Sequence, residues 1–384
     1  MNNVLQRLGL EGTFFSIPTG VFASFGSPEE HRTSLIRTET TETNLEKLSA
    51  LDELAEEVIR GDLDAGTGTA RVGAIMATPS RYPPMLVLVA MALSSGTAAR
   101  FFGGGWREIA VAAVIGVGIG AADIAIRQSG VRRILPIVAA LIASAAATTA
   151  GHYVHPFSIY VATLAGVAIL LPGMQITTAM TELATGNLVS GSARLTGSAL
   201  VLLELGFGVA VGGQIAHLVL MKLGLVGGGQ IALPALELGA TPMRLPEWTI
   251  YAALILAPMA FTVLLRARPR DLGWIAAASI LAFSGARVGR YLMGPELGAL
   301  VGTVALGIGG NLFARITGRP SSVPIVPGLV ILVPGSIGFS SLSKFIAQDA
   351  LSGAQAGFSV VLVAMALVTG LLIANVIVPP RKSL

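Results

Sequence analysis

Few residues of this chain can do chemistry, and most of them stand in apolar surroundings. Glu204 sits in "SALVLLELGFGVAV" with no basic neighbour in its own stretch. An ionisable group in such a run is costly and defaults to a functional role. A carboxyl there could load and release a proton, and the bland alternative is a protonated Glu bonded between helices. Asp123, close to Arg127, reads as an ion-pair member at the end of an apolar run or as a second proton site. Asn311 in "GIGGNLFARI" could bond a substrate or join two helices. Arg287 and Arg290 could snorkel to a surface or recognise a carboxylate. His152, His155 and His217 fall near the ends of apolar runs, with no spacing that supports a metal site. The rows Gly116, Gly118, Gly120 and Gly307, Gly309, Gly310 look like phosphate loops but lack a preceding strand and a following Lys-Ser. They read as close helix-packing sites, and no ATPase motif accompanies them.

Two related segments carry the densest polar chemistry. In "LLPGMQITTAMTELATGNLVSG", Pro172 lacks an amide donor and Gly173 relaxes the backbone, so a helix can break there. The carbonyls so freed tolerate membrane depth only against protein or water. Thr177, Thr178, Thr181, Glu182 and Thr185 then form a hydroxyl-rich face with one acid, and Asn187 follows. A shift of 162 residues superposes this stretch on "LVPGSIGFSSLSKFIAQDALSG", matching Pro172-Gly173 with Pro334-Gly335 and Ser190-Gly191 with Ser352-Gly353. Glu182 then corresponds to Lys344. A zwitterionic amino acid could place its ammonium on Glu182, its carboxylate on Lys344 and its hydroxyl on Thr177, Thr178, Ser340 or Ser341. Pro172, Gly173, Asn187, Asn311, Pro334 and Gly335 complete the expected substrate site, with Glu204 and Asp123 for protons. The alternative is a pair of surface helices lying at a membrane interface with their hydroxyls toward water.

These residues need a membrane scaffold. Over 384 residues the chain is 53% hydrophobic and 12% charged, with a mean hydropathy of +0.76, which no soluble core of this length requires. Apolar stretches near 84–102, 107–126, 134–152, 156–171, 193–221, 247–265, 271–289, 295–315, 320–334 and 356–378 predict ten spans. The 162-residue shift also carries Pro84 onto Pro246, so residues 84–222 and 246–384 form two five-helix repeats. Five is odd, so the second copy enters the membrane from the opposite side, an inverted repeat of the kind on which secondary transporters are built. Residues 1–83 hold twelve acids against seven bases, net −5, and the rest nine acids against eighteen bases, net +9. The first part therefore reads as a small α+β domain. Its strand-like TFFSI, GVFASF and RTSLIRT precede a helix from Asn44 to Gly61 and a second from Asp64 to about Ala77. Its acids Asp52, Glu53, Glu56 and Glu57 read as a solvated helix face. The N-terminus lacks the apolar core of a secretory signal, which places this domain in the cytoplasm. With that orientation eleven basic residues fall inside and seven outside, favouring both termini inside an inner or plasma membrane. The chain has no cysteine.

The segments "EGTFFSIPTGVFASFG", "SRYPPMLVL", "LLPGMQITTAMTELATGNLVSGSARL" and "SSVPIVPGLVILVPGSIGFSSLSKF" resemble the threonine/serine exporters over nearly the whole chain. The resemblance implies a cytoplasmic N-terminal domain, ten helices, and export of small hydroxyl amino acids driven by the proton gradient. Relatives that split the two halves look like dicarboxylate exporters. The chain departs in starting its soluble part abruptly at "RLGLEG", without the earlier helix that relatives carry. The expected partners are a small polar metabolite such as threonine or serine, protons and lipid, with homo-oligomerisation left open and neither cofactor nor nucleic acid. A passive channel could use the same amphipathic segments. An intramembrane enzyme would need a reactive pair or metal cluster within the spans, and none is visible.

Overall fold

The computed structural model describes residues 4–5, 11–26, 32–37, 43–126, 134–226, 242–333, 335–346 and 349–380. Strands β1 (Gly12–Ile17), β2 (Gly20–Phe25) and β3 (Arg32–Arg37) form an antiparallel sheet in that order. Helix α1 (Leu45–Arg60) starts where the Asn44 side chain accepts a bond from the Lys47 amide at 2.9 Å, and it stops at Gly61 with φ 85°. That is the cap pair the sequence suggests. Helix α2 (Ala65–Ala77) starts likewise on Asp64, which accepts from the Thr67 amide at 2.8 Å.

The remainder is helical: α3 (Pro84–Phe101), α4 (Trp106–Ile126), α5 (Leu135–Tyr153), α6 (Ile159–Gly166), α7 (Gly173–Ala184) and α8 (Leu188–Lys222). Then come α9 (Trp248–Leu264), α10 (Leu272–Met293), α11 (Pro295–Thr317), α12 (Ser322–Leu332), α13 (Gly335–Ile346) and α14 (Ala350–Ile377). Among the described residues eight helical stretches are long and apolar enough to cross a membrane. The broken pair α6–α7 would make a ninth, and α9 is an apolar helix of 17 residues. Two expected spans need correction. The stretch 156–171 holds only the eight residues of α6, and 320–334 only the eleven of α12. Each continues as a second piece: α6 ends at Gly166 and α7 starts at Gly173, and α12 ends at Leu332 and α13 starts at Gly335.

The same neighbours recur in both halves. α3–α4, α4–α5, α5–α6, α4–α6, α5–α8 and α7–α8 pack in the first, and α9–α10, α10–α11, α11–α12, α10–α12, α11–α14 and α13–α14 in the second. Glycine sets the closest of these. A Cβ at Gly208 or Gly212 of α8 would lie 2.4 and 2.2 Å from the Ile137 and Leu141 carbonyls of α5, and one at Gly307 of α11 2.5 Å from Ala374 of α14. Of the six suspected packing glycines, only Gly118 has nothing within 4 Å.

Contacts at the helix ends fix direction. The Tyr82 hydroxyl, just before α3, donates to the Ala267 carbonyl just after α9 at 2.6 Å. Arg100, at the end of α3, donates to Thr249 Oγ1 at the start of α9 at 2.6 Å. α3 and α9, equivalent under the 162-residue shift, therefore run antiparallel. The end carrying α1 also holds the Arg319–Asp271 pair and the bond from Arg315 to the Pro379 carbonyl at 2.9 Å. We call this the near end and the opposite one the far end.

Candidate functional site

The site is built from two broken helices. α6 starts at the far end, where Ser158 caps it, and runs to Gly166 near the middle of the bundle. A single 3-10 turn, Ala168–Leu170, then leads into α7, which departs at 51° toward the near end. The break leaves polar backbone to satisfy. The Ser95 hydroxyl of α3 donates to the Gly166 carbonyl at 3.3 Å. No side chain caps α7 at Pro172, so its leading amides carry the positive end of the helix dipole into the interior. α12 runs from the near end, and α13 continues beyond Gly335 to the far end.

The two breaks touch. A Cβ on Gly173 would lie 1.8 Å from Val333 Cγ1 and 3.0 Å from the Gly335 amide nitrogen, and a Cβ on Gly335 would lie 3.0 Å from Leu171 Cβ. Val333 is Leu171 shifted by 162 residues, so the contact is reciprocal, as a two-fold relation requires. The helices beyond the breaks exchange partners in the same way: α7 packs on α14 and α13 on α8. Phe339 of α13 enters the core of the first half beside Leu205 and Ile115. Met174 of α7 packs against the core of the second half with Leu332 and Val333.

The hydroxyls lie along this junction. Thr177 is buried, and its Oγ1 donates to the Gly173 carbonyl at 3.1 Å; Thr178 Oγ1 donates to the Met174 carbonyl at 2.9 Å. Ser340 is within hydrogen-bonding reach of the Tyr160 hydroxyl, and the Tyr160 and Phe339 rings are 6.4 Å apart. Ser341 Oγ donates to the Gly353 carbonyl at 2.6 Å, tying α13 to α14. Glu204, near the middle of α8, is partly buried between Leu202, which α13 approaches at Gly338, and Leu205 of the core. It has no hydrogen bond or ion pair among the described residues.

Other expected members lie elsewhere. Glu182 accepts from Arg194 Nε of α8 at 2.9 and 3.0 Å. α8 runs alongside α5 from the near end, and the Ser190 hydroxyl donates to the Ser16 carbonyl of β1 at 3.0 Å, so this pair belongs to the near end. Lys344, at the end of α13, belongs to the far end beside the start of α14. The structure therefore does not bring Glu182 and Lys344 together. Asn187 is exposed at the cap position of α8, its amide donating to Thr185 Oγ1 at 3.1 Å. Asn311 is buried, its Nδ2 donating to Asn375 Oδ1 and the Val378 carbonyl, both at 2.8 Å, so it joins α11 to α14. Asp123 lies in the last turns of α4; Arg127 and Pro334 are outside the described residues. Arg287 faces Glu247 at 3.4 Å, far from the junction. Among the described residues no group of three His, Asp or Glu could hold a metal ion.

Sequence reasoning missed the anchors that hold these elements. Glu108, 1% exposed, accepts from the Gly105 and Ser158 amides at 2.8 and 2.7 Å, tying the α3–α4 turn to the start of α6. Asp271, also 1% exposed, does the same work at the near end by accepting from Arg319. The only sequence signal for either is an acid at the foot of an apolar helix. Nor is Glu53 merely a solvated acid: Arg268 donates to both its oxygens, at 2.7 and 3.2 Å, and this bond holds its carboxyl below the usual range.

Helices this long and apolar, packed around two touching breaks, define a multi-pass membrane protein. The chain belongs to the threonine/serine exporter family: a family model described as "Putative threonine/serine exporter" matches residues 1–216, and one described as "Threonine/Serine exporter, ThrE" matches 250–377. This is a family of exporters and not of enzymes. Curated relatives include proteins called Pheromone-regulated membrane protein 10. That of Yarrowia lipolytica is 26% identical over 358 residues, covering 88% of this chain and 28% of the relative. Those of Kluyveromyces lactis and Saccharomyces cerevisiae are 22% and 23% identical, covering 97% and 86% of this chain and 40% and 42% of theirs. The chain thus spans less than half the length of these relatives. No solved structure matches it.

Proposed function

We propose that this protein is a secondary transporter that exports threonine, serine or a similar small polar metabolite by proton antiport. Its ten passes, two of them broken spans of two helical pieces each, form two inverted repeats, 84–222 and 246–384. Residues 1–83 make an N-terminal domain on the cytoplasmic side of the plasma membrane. The observation that carries this reading is the reciprocal meeting of Gly173 and Gly335 between antiparallel broken helices. Transporters of this construction bind substrate where half-helices converge.

The chemistry follows from the junction. The substrate carboxylate sits against the leading amides of α7 and α13, where the helix dipoles favour an anion. Its hydroxyl bonds Thr177, Thr178 or Ser340, whose hydroxyls can turn from their local partners at little cost. Charge-assisted bonds of this type contribute roughly 1.5–3 kcal/mol each. With glycine at both contact points the halves can slide past one another, exposing the junction alternately to the near and far ends. Glu204, on the α8 segment that α13 covers, carries the proton that returns.

Purified protein in proteoliposomes with an imposed pH gradient tests this. Efflux of labelled threonine or serine, accelerated by unlabelled substrate on the other side, is the expected result. Succinate in place of the amino acids would reassign the substrate, and flux without such acceleration would make the protein a channel. Glu204→Gln should abolish proton-driven export and leave exchange largely intact; unchanged pH dependence would remove Glu204 from the coupling.

A further inference from the structure

Among the described residues six buried side-chain polar atoms have no hydrogen-bond partner, and three of them are hydroxyls on α5 and α6: those of Ser144, Thr148 and Thr163. These residues are 0%, 4% and 1% exposed. The register of the two antiparallel helices brings them together. Gly151 of α5 meets Ile159 of α6, where a Cβ on the glycine would lie 2.7 Å from Ile159 Cγ1. One turn inward from that contact stand Thr148 and Thr163, and a further turn sets Ser144 opposite Gly166. The α11–α12 packing of the second half repeats this register. Gly310 and Ile325, the counterparts of Thr148 and Thr163 under the 162-residue shift, meet there, and so do Leu306 and Gly328, the counterparts of Ser144 and Gly166. None of these counterparts carries a polar side chain, so the hydroxyl group belongs to the first half alone.

Buried hydroxyls without protein partners call for a ligand or water. Their surroundings select a cation. α6 ends at Gly166 near the middle of the bundle, so its last carbonyls bring the negative end of the helix dipole to this place. The Gly166 carbonyl accepts the 3.3 Å bond from Ser95 and has a second lone pair for another partner. Neither α5 nor α6 contains a carboxylate, which suits a singly charged ion and not a divalent one. Carbonyls at the C-terminal end of a half-helix are the groups with which transporters built on broken helices hold Na+. We propose that Ser144, Thr148 and Thr163, with the Gly166 carbonyl, form a sodium site on the far side of the first break. The bound ion ties α6 to α5 beside that break, and the second break has no counterpart.

Thermal unfolding of the full chain in detergent tests this, in choline chloride partly replaced by NaCl or KCl at constant ionic strength. NaCl should raise the midpoint saturably, and KCl should not. Thr163→Val and Ser144→Ala should each raise the half-saturating Na+ concentration by at least about 10-fold, since even an outer-shell partner is worth that much at a metal site. Both variants delete an unpartnered hydroxyl and keep the apolar remainder, so neither should lower the midpoint in choline chloride. Thr149→Val, on the exposed side of α5 where the hydroxyl donates to the Ala145 carbonyl, should leave the Na+ response unchanged. Unfolding requires no substrate, so the outcome is independent of whether threonine or serine is exported. No rise with NaCl, an equal rise with KCl, or a rise unchanged in both site variants overturns the proposal and leaves the hydroxyls to bound water.

Discussion

At Gly173 a single methyl group has nowhere to go. Its nearest obstacle would be a branched Val333 side chain at 1.8 Å, backed by the Gly335 backbone, whereas a methyl on Gly335 meets Leu171 at 3.0 Å. Gly173→Ala is therefore expected to cost about 1–3 kcal/mol of stability through overpacking, and Gly335→Ala distinctly less. Thermal unfolding in detergent measures the difference, and equal effects would contradict the asymmetry. Glu182 and Arg194 present another case, with side chains 21% and 30% exposed. Arg194→Gln should destabilise by about 1–2 kcal/mol by leaving a half-buried carboxylate short of donors. Exchanging the two residues should recover most of that loss. Export lost in Glu182→Gln with unfolding unchanged would instead return Glu182 to the substrate site.

Between elements, glycine decides how closely helices approach, and without a strong hydrophobic force in lipid that contact is what binds them. Gly212→Ala would drive a methyl to 2.2 Å from the Leu141 carbonyl and push α8 off α5. A loss of about 1–3 kcal/mol is expected, while Gly118→Ala, facing open space, should be neutral within about 0.5 kcal/mol. The docking of α1 depends on pH through Glu53. Its carboxyl is lowered in the folded chain, so the Arg268 bond contributes fully above the ordinary carboxylate value of 4.5 and is lost as pH falls through the lowered one. Half-exposed at 46%, it contributes at most about 1 kcal/mol. Hydrogen exchange of the α1 amides should speed up on acidification below that range. Glu53→Gln should raise the rate at neutral pH and flatten the dependence.

For the whole molecule, the testable property is the opposed direction of the two halves. The chain has no cysteine, so single cysteines report without background. Cysteines at positions 182 and 344 should label from opposite sides of the membrane, because α7 ends at the near end and α13 at the far end. Labelling of both from one side would dismantle the inverted arrangement and the alternating exposure built on it. The partner exchange of α7 and α13 adds a further expectation. Each half draws on the other for its core, since Phe339 is buried in the first and Met174 packs against the second. Residues 84–222 and 246–384 expressed separately should therefore be unstable until co-expressed.

The sequence by itself determined what covalent geometry and local pattern control. Pro172 withholds an amide that a continuous helix would use, Asn44 and Gly61 cap one, and long apolar runs become helices because that form satisfies their backbone in lipid. The 162-residue echo located both breaks, and the alternation in TFFSI and GVFASF located the hairpin. Tertiary structure alone decided the pairings. Arg194 lies twelve residues from Glu182 and reaches it only because α7 and α8 fold back on each other. Glu108 and Asp271 become anchors only when turns from distant parts of the chain converge on them. Asn311 carries the same donors wherever it lies, and its neighbour Asn375, 64 residues on, makes it a tie between helices. The contact of Gly173 with Gly335 was equally illegible, since a repeat in sequence states that two segments are alike and only packing states that they touch.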